Sequence, residues 1–304
     1  MELDVGHPLH LVPGAGEIVG DSSADKRIEL LCDHPALAEG YRGRTAGDAY
    51  NWFDPWQQAP APYDENGHGT HTLGSILGET VGVAPGATWF GCANLIRNLG
   101  NPAFYLECMQ FTFAPFPQGG DPLRDGDPAR AADVLNNSWG CPTDVEGCAP
   151  NTFVPAMDAL TKAGVFVVVS AGNDGPLCGS VHTPPAINEQ VFTVGAVDSS
   201  GDLAVFSSVG PVTADGSGRI KPNILAPGVD VLSAYPGSRY EVNSGTSMAG
   251  PHLAGVVALM WSANPALRGD VARTRQILQE TARPFMGDLE GSSPLVDAPV
   301  SNEI

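Results

Sequence analysis

Basic side chains are scarce in this chain: 15 lysines and arginines stand against 34 aspartates and glutamates, a formal charge of −19. A polyanion or an anionic membrane surface would be repelled by such a protein, which excludes nucleic acid and membrane lipid as partners. The plainest reading of the acidic excess is a solvated surface that keeps the protein soluble. No apolar run approaches ~18 residues, so no membrane-spanning helix is expected. No C-x-x-C pair occurs among the six cysteines, and zinc-site spacing is therefore missing. No EF-hand-like loop appears either, although carboxylate-rich loops could hold structural calcium. The opening MELDVGHPLHLVPG is acidic and lacks an apolar core, so it does not read as a signal peptide. Neither an internal repeat nor a long linker divides the chain.

What is present suits one large α/β domain. The 304 residues are 42% hydrophobic, ample for a sizeable core. Glycine (37) and proline (27) together stay below the roughly 25–30% that marks low complexity. Spacing suggests that Cys141 pairs with Cys148 across a short loop and Cys92 with Cys108, and an even cysteine count suits an oxidising compartment.

Apolar runs alternate between the two periods. GEIVG (16–20), ATWFGCAN (87–94) and ADVLNNSWG (132–140) read as strands or strand-to-turn segments. VFVVVSAGN (165–173) and QVFTVGAVD (190–198) are nearly continuous β-branched runs, the pattern of parallel strands buried on both faces. HTLGSILG (71–78), NPAFYLECMQFTFAP (101–115) and NTFVPAMDALTKAG (151–164) have helical spacing. AGVVALMWSAN (254–264) is apolar nearly all round and predicts a buried helix. Strands alternating with helices predict a parallel sheet covered on both sides, with ligands at the strand ends. A single domain over 1–304 is expected, its core running from about 14 to 284 and residues 285–304 forming a loosely held tail.

Four segments could carry chemistry. In DENGHGTHT (64–72), His68 sits between Gly67 and Gly69, and His71 follows; either could be a base, and either could be structural. In VVVSAGNDG (167–175), Asn173 is a turn residue or an amide donor aimed at a developing negative charge. In NSGTSMAGPHLAGVVALMW (243–261), Ser247 is a helix cap or a nucleophile at the positive end of a helix, with Pro251 in the first helical turn. LNNSWG (135–140) could present backbone to an extended peptide.

In this order, NGHGTHTLGSILG, VVVSAGNDG and NSGTSMAGPHLAGVVALM resemble the histidine, oxyanion-asparagine and serine boxes of the subtilase family. The likeness runs from about Cys32 to Ala282, and VLNNSWGCPTDVEGC suggests the branch that includes bacillopeptidase F. It implies a subtilisin-like three-layer α/β fold with a mainly parallel central sheet and helices on both faces. It implies a serine endopeptidase with Ser247 as nucleophile, His68 as general base, and Asn173 with Ser247 forming the oxyanion hole. Ser138, Trp139 and Gly140, with Ser170, Ala171 and Gly172, would bind substrate, while His71 and His252 become structural neighbours. A polypeptide substrate, a monomer, no cofactor for the chemistry and a secreted or extracytoplasmic location are expected; relatives usually carry a signal and a prodomain, and neither is visible here. An esterase is disfavoured, because GTSMA lacks the final glycine of a nucleophile elbow.

One part of the pattern is missing. No Asp-Ser-Gly or Asp-Thr-Gly, the turn that carries the third triad member, occurs anywhere in the chain. Within GAGEIVGDSSADKRIELLCDHPALAEGYRG (14–43), Asp25 is the best substitute and Asp21 the runner-up. The alternative is a catalytically impaired subtilase-fold protein that binds extended peptides.

Overall fold

A run such as Phe166-Val167-Val168-Val169 needs apolar cover on both faces of a sheet, and the fold supplies it. The computed structural model describes residues 10–13, 31–64, 66–97, 99–283 and 285. In chain order its elements are β1 (His10–Pro13), α1 (Gly43–Ala46), β2 (Trp52–Phe53), α2 (His68–Leu77), β3 (Thr88–Trp89), β4 (Gly91–Cys92) and α3 (Pro102–Phe113). Then come β5 (Val134–Asn137), α4 (Thr143–Glu146), α5 (Val154–Lys162), β6 (Phe166–Ser170), β7 (Phe192–Val197) and β8 (Ile224–Pro227). The chain continues through β9 (Val231–Tyr235), β10 (Arg239–Asn243), α6 (Thr246–Ala263) and α7 (Val271–Thr281).

Six strands form one sheet in the order β3-β1-β5-β6-β7-β8, and every neighbouring pair is parallel. The strand β9 folds back on β10 as an antiparallel hairpin, and β2 pairs with β4. Side chains of β6 alternate between two cores. Phe166 and Val168 pack with Leu73, Ile76, Leu253 and Trp261 from α2 and α6, whereas Val167 and Val169 pack with Tyr105, Met157 and Leu160 from α3 and α5. Fully burying each such side chain is worth about 1.5–3 kcal/mol, so the two-sided run drives assembly of all three layers.

The helices expected at 71–78, 101–115, 151–164 and 254–264 all form, with α2 and α6 starting earlier than the apolar spacing suggested. The strand expected at 16–20 lies outside the described residues. The first described strand is instead β1, which precedes the expected start of the core and sits centrally between β3 and β5. His-Leu-Val-Pro is too short and too punctuated to announce a strand; pairing of Leu11 with Trp89 and Val134 makes it one. Except for residue 285, the tail expected beyond 284 lies outside the described residues.

Both expected disulfides are present. Cys92–Cys108 ties β4 to α3, and Cys141–Cys148 closes the loop that contains α4. Cys32 and Cys178 are unpaired, and burial, assisted by Asp33 and Asp48, pushes the Cys32 thiol up to about 11.

Candidate active site

Parallel strands leave their carboxyl ends at one edge, and the loops there are where ligands meet an α/β sheet. From β5 that edge receives Ser138, Trp139 and Gly140, and from β6 it receives Ala171, Gly172 and Asn173. Ser138, Trp139, Ser170 and Ala171 are buried. Gly172 has φ +106°, a conformation that a side chain would strain.

Ser247 is the second residue of α6 and is half-buried. It does not cap the helix: Gly245 occupies the cap position and no side chain caps it. Its hydroxyl donates instead to the Ser138 carbonyl at 3.3 Å, while the Ser138 hydroxyl donates to the Ser247 carbonyl at 3.0 Å and accepts from Asn136 Nδ2 at 3.0 Å. The second of these bonds has a sequence-level cause. Because α6 begins at Thr246, Pro251 lies in the second turn rather than the first. A proline there has no N–H for the carbonyl four residues back, which is that of Ser247. The freed carbonyl is the one that Ser138 takes up, so the proline and Ser138 together join the start of α6 to the end of β5.

Asn173 is exposed, yet one end of its amide is fixed. Its Oδ1 accepts from Thr246 N at 2.9 Å and from the Thr246 hydroxyl at 3.0 Å, and that hydroxyl in turn accepts from Gly172 N at 3.2 Å. A backbone N–H can only donate, so oxygen must face Thr246 and Nδ2 must face away from it. The result is a preorganised N–H donor beside the positive end of α6, the arrangement that stabilises an oxyanion. Thr246 sets the orientation of the Asn173 amide, a contact that no pattern in the sequence announces.

His68 opens α2, and its position depends on two neighbours. Gly67 before it has φ +81°, and a Cβ there would stand 2.3 Å from the Tyr235 ring. Asp64 supplies the cap that Gly67 lacks: its carboxylate accepts from Gly67 N at 2.9 Å and from Thr70 N and Oγ1, both at 2.7 Å. Asp64 was also missed, although an aspartate three residues before Gly67 is a recognisable turn signal. The imidazole of His68 is pushed down to about 4, chiefly by burial and then by the neighbouring His71. Among the described residues no carboxylate hydrogen-bonds to it, and nothing there opposes that fall.

His71 and His252 have other work. The His71 ring is buried, with Nε2 donating to the carbonyls of Val231 at 3.0 Å and Glu241 at 3.1 Å, which pins α2 to the β9–β10 hairpin. Burial lowers its pKa, as it does that of His252, whose Nδ1 donates to Met248 O at 2.9 Å. Asp25 and Asp21 lie outside the described residues. β1 ends at this same edge, since Pro13 pairs with Asn136. Among the described residues, no group of three His, Cys, Asp or Glu side chains is placed to hold a metal.

Comparison with known proteins bears on the family and the fold. The family model described as Subtilase family matches residues 21–299. Bacillopeptidase F of Bacillus subtilis (strain 168) is 36% identical over 300 residues, covering 92% of this chain and 20% of its own length. Serine protease AprX of the same organism is 34% identical over 273 residues, covering 78% of this chain and 56% of its own. Subtilisin DY of Bacillus licheniformis is 35% identical over 219 residues, 70% of this chain and 69% of its own. A solved structure of a cold adapted subtilisin-like serine proteinase superposes with a TM-score of 0.67 at 24% identity, covering 96% of this chain and 88% of that one, a likeness of fold. The chain spans about a fifth of bacillopeptidase F and just over half of AprX. With matches of this extent and the parallel sheet beneath them, the chain belongs to the subtilase family.

Proposed function

We propose that this chain is a serine endopeptidase that hydrolyses peptide bonds through an acyl-enzyme on Ser247. The observation that carries the reading is the clamped amide of Asn173, whose Nδ2 is left as a donor beside a half-buried serine that caps nothing. In the reaction, Ser247 Oγ attacks the scissile carbonyl while His68 accepts its proton. The carbonyl oxygen becomes an oxyanion held by Asn173 Nδ2 and the Ser247 N–H. Collapse expels the amine, which takes the proton back from His68, and water repeats the sequence on the ester to release the acid. Ser138, Trp139 and Gly140 on one side, with Ser170, Ala171 and Gly172 on the other, bind the polypeptide before the scissile bond. Asp25, or alternatively Asp21, holds the His68 ring and stabilises its charged form. The protein works outside the cytoplasm, as a monomer and without a cofactor in the chemistry; any calcium is structural.

A second reading, a peptide-binding protein with impaired catalysis, is favoured by the missing Asp-Ser/Thr-Gly turn. In a related subtilisin, losing the aspartate alone lowers turnover by roughly 3 × 10⁴, against about 2 × 10⁶ for the serine or histidine. An impaired enzyme would therefore still be measurable.

A serine-directed phosphonate separates the readings. The folded protein should be labelled on Ser247, and Ser247→Ala and His68→Ala proteins should not react. An unlabelled Ser247 under conditions that label a control protease would defeat the peptidase reading. Asp25→Asn and Asp21→Asn, made separately, then identify the acid; if neither lowers activity, both assignments fail.

A further inference from the structure

The loop after the substrate-binding segment carries an acid that the proposed chemistry does not use. Glu146 ends α4, inside the loop closed by Cys141–Cys148. Its Oε2 accepts from the Tyr105 hydroxyl at 2.9 Å, and its Oε1 accepts from Gly100 N at 2.8 Å. The Tyr105 ring lies flat on the Trp139 indole, with centroids 3.9 Å apart and planes 6° from parallel. Burial and the Glu146 carboxylate raise the pKa of the phenol, which therefore remains a donor.

This small network joins three pieces of chain. Gly100 belongs to the segment between β4 and α3. Tyr105 rides on α3, which Cys92–Cys108 anchors to β4. Glu146 rides on a loop fixed at both ends, by Cys141 N donating to Pro184 O at 2.8 Å and by the Thr143 hydroxyl donating to Cys148 O at 2.6 Å. A carboxylate with two oxygens can hold a hydroxyl and a backbone N–H together, which a neutral side chain does less well.

We infer that Glu146 is a positioning residue for extended substrates. Through Tyr105, whose ring stacks on Trp139, and through Gly100, it holds the Ser138, Trp139 and Gly140 wall of the proposed peptide cleft against the segment that precedes α3. This rests on the proposed peptidase reading for the identity of Ser138, Trp139 and Gly140. It adds that affinity for residues remote from the scissile bond is governed by a group that touches no substrate.

The test is a comparison of substrates of two lengths. Glu146→Ala should raise KM for a tetrapeptide p-nitroanilide about tenfold, the equivalent of one lost charge-assisted hydrogen bond, with kcat within about twofold. A single-residue ester should be hydrolysed as before. Tyr105→Phe keeps the stacked ring and should reproduce the effect; Glu146→Ala and Tyr105→Phe combined should be no worse than the more severe of the two. Glu146→Gln, whose amide oxygen can accept from Gly100 N while its Nε2 donates to the Tyr105 oxygen, should recover most of the loss. An unchanged KM, additive effects, or an equal loss on both substrates overturns the inference and leaves the peptidase reading standing. Should the parent protein cleave neither substrate, binding of a decapeptide to the Ser247→Ala protein is the readout, and Glu146→Ala should weaken it about tenfold. A decapeptide that does not bind at all removes the peptidase and peptide-binding readings, and the inference with them.

Discussion

The reciprocal contact between Ser138 and Ser247 allows a sharp test of how the start of α6 is held. Pro251 leaves the Ser247 carbonyl without its helical partner, and the Ser138 hydroxyl replaces it while also serving Asn136. Ser138→Ala should therefore strand one buried group, Asn136 Nδ2, and one half-buried group, the Ser247 carbonyl, at about 1–3 and 1–2 kcal/mol. Pro251→Ala restores an N–H to the carbonyl of Ser247. In that background Ser138→Ala should orphan only Asn136 Nδ2, so its cost should fall by about 1–2 kcal/mol. The measurement is urea unfolding of the four proteins of the cycle, all carrying Ser247→Ala to prevent self-digestion; that change leaves the backbone carbonyl in place. Equal destabilisation by Ser138→Ala in both backgrounds would refute the reasoning, because the hydroxyl would then owe nothing to the proline.

Other outcomes follow from the same geometry. Asn173→Asp keeps the oxygen that Thr246 clamps but replaces the outward donor with a second oxygen. It should leave the melting temperature nearly unchanged while lowering kcat by at least about 10²–10³, the loss seen when one such donor is removed from a related subtilisin; a kcat within tenfold of the parent would remove Asn173 from the oxyanion hole. Burial depresses the pKa values of His68, His71 and His252, so the folded protein binds protons less readily than the unfolded chain, whose histidines titrate near 6.5. Stability is thus full above that value and drains away as pH falls from there towards about 4 for His68, by up to about 1.4 kcal/mol per pH unit per group. His71→Gln should flatten the loss of unfolding free energy between pH 7 and 5, and an unchanged slope would count against His71 as a source of it. Asp64→Ala removes the acceptor for Gly67 and Thr70 and should destabilise by about 0.5–2 kcal/mol, read from the shift in urea midpoint.

Periodicity was enough to identify α3, α5, β6, β7 and the buried body of α6, because each has to hide apolar side chains at the spacing of its own backbone. The boxes around His68, Asn173 and Ser247 were equally readable as patterns, and with them the family. Short pairing told a different story: β1 became a strand only because its neighbours in the sheet, Thr88–Trp89 and Val134–Asn136, supply hydrogen-bond partners from far along the chain. The same holds for the site. Residue order cannot say that Thr246 turns the Asn173 amide, that Asp64 caps the helix of His68, or that Ser138 answers the carbonyl freed by Pro251. Those are contacts between groups remote in sequence, or choices between equivalent orientations, and only packing selects among them. Chain order thus specified which residues stand in the three boxes, while the tertiary fold decided which atoms of each are held and by which partners.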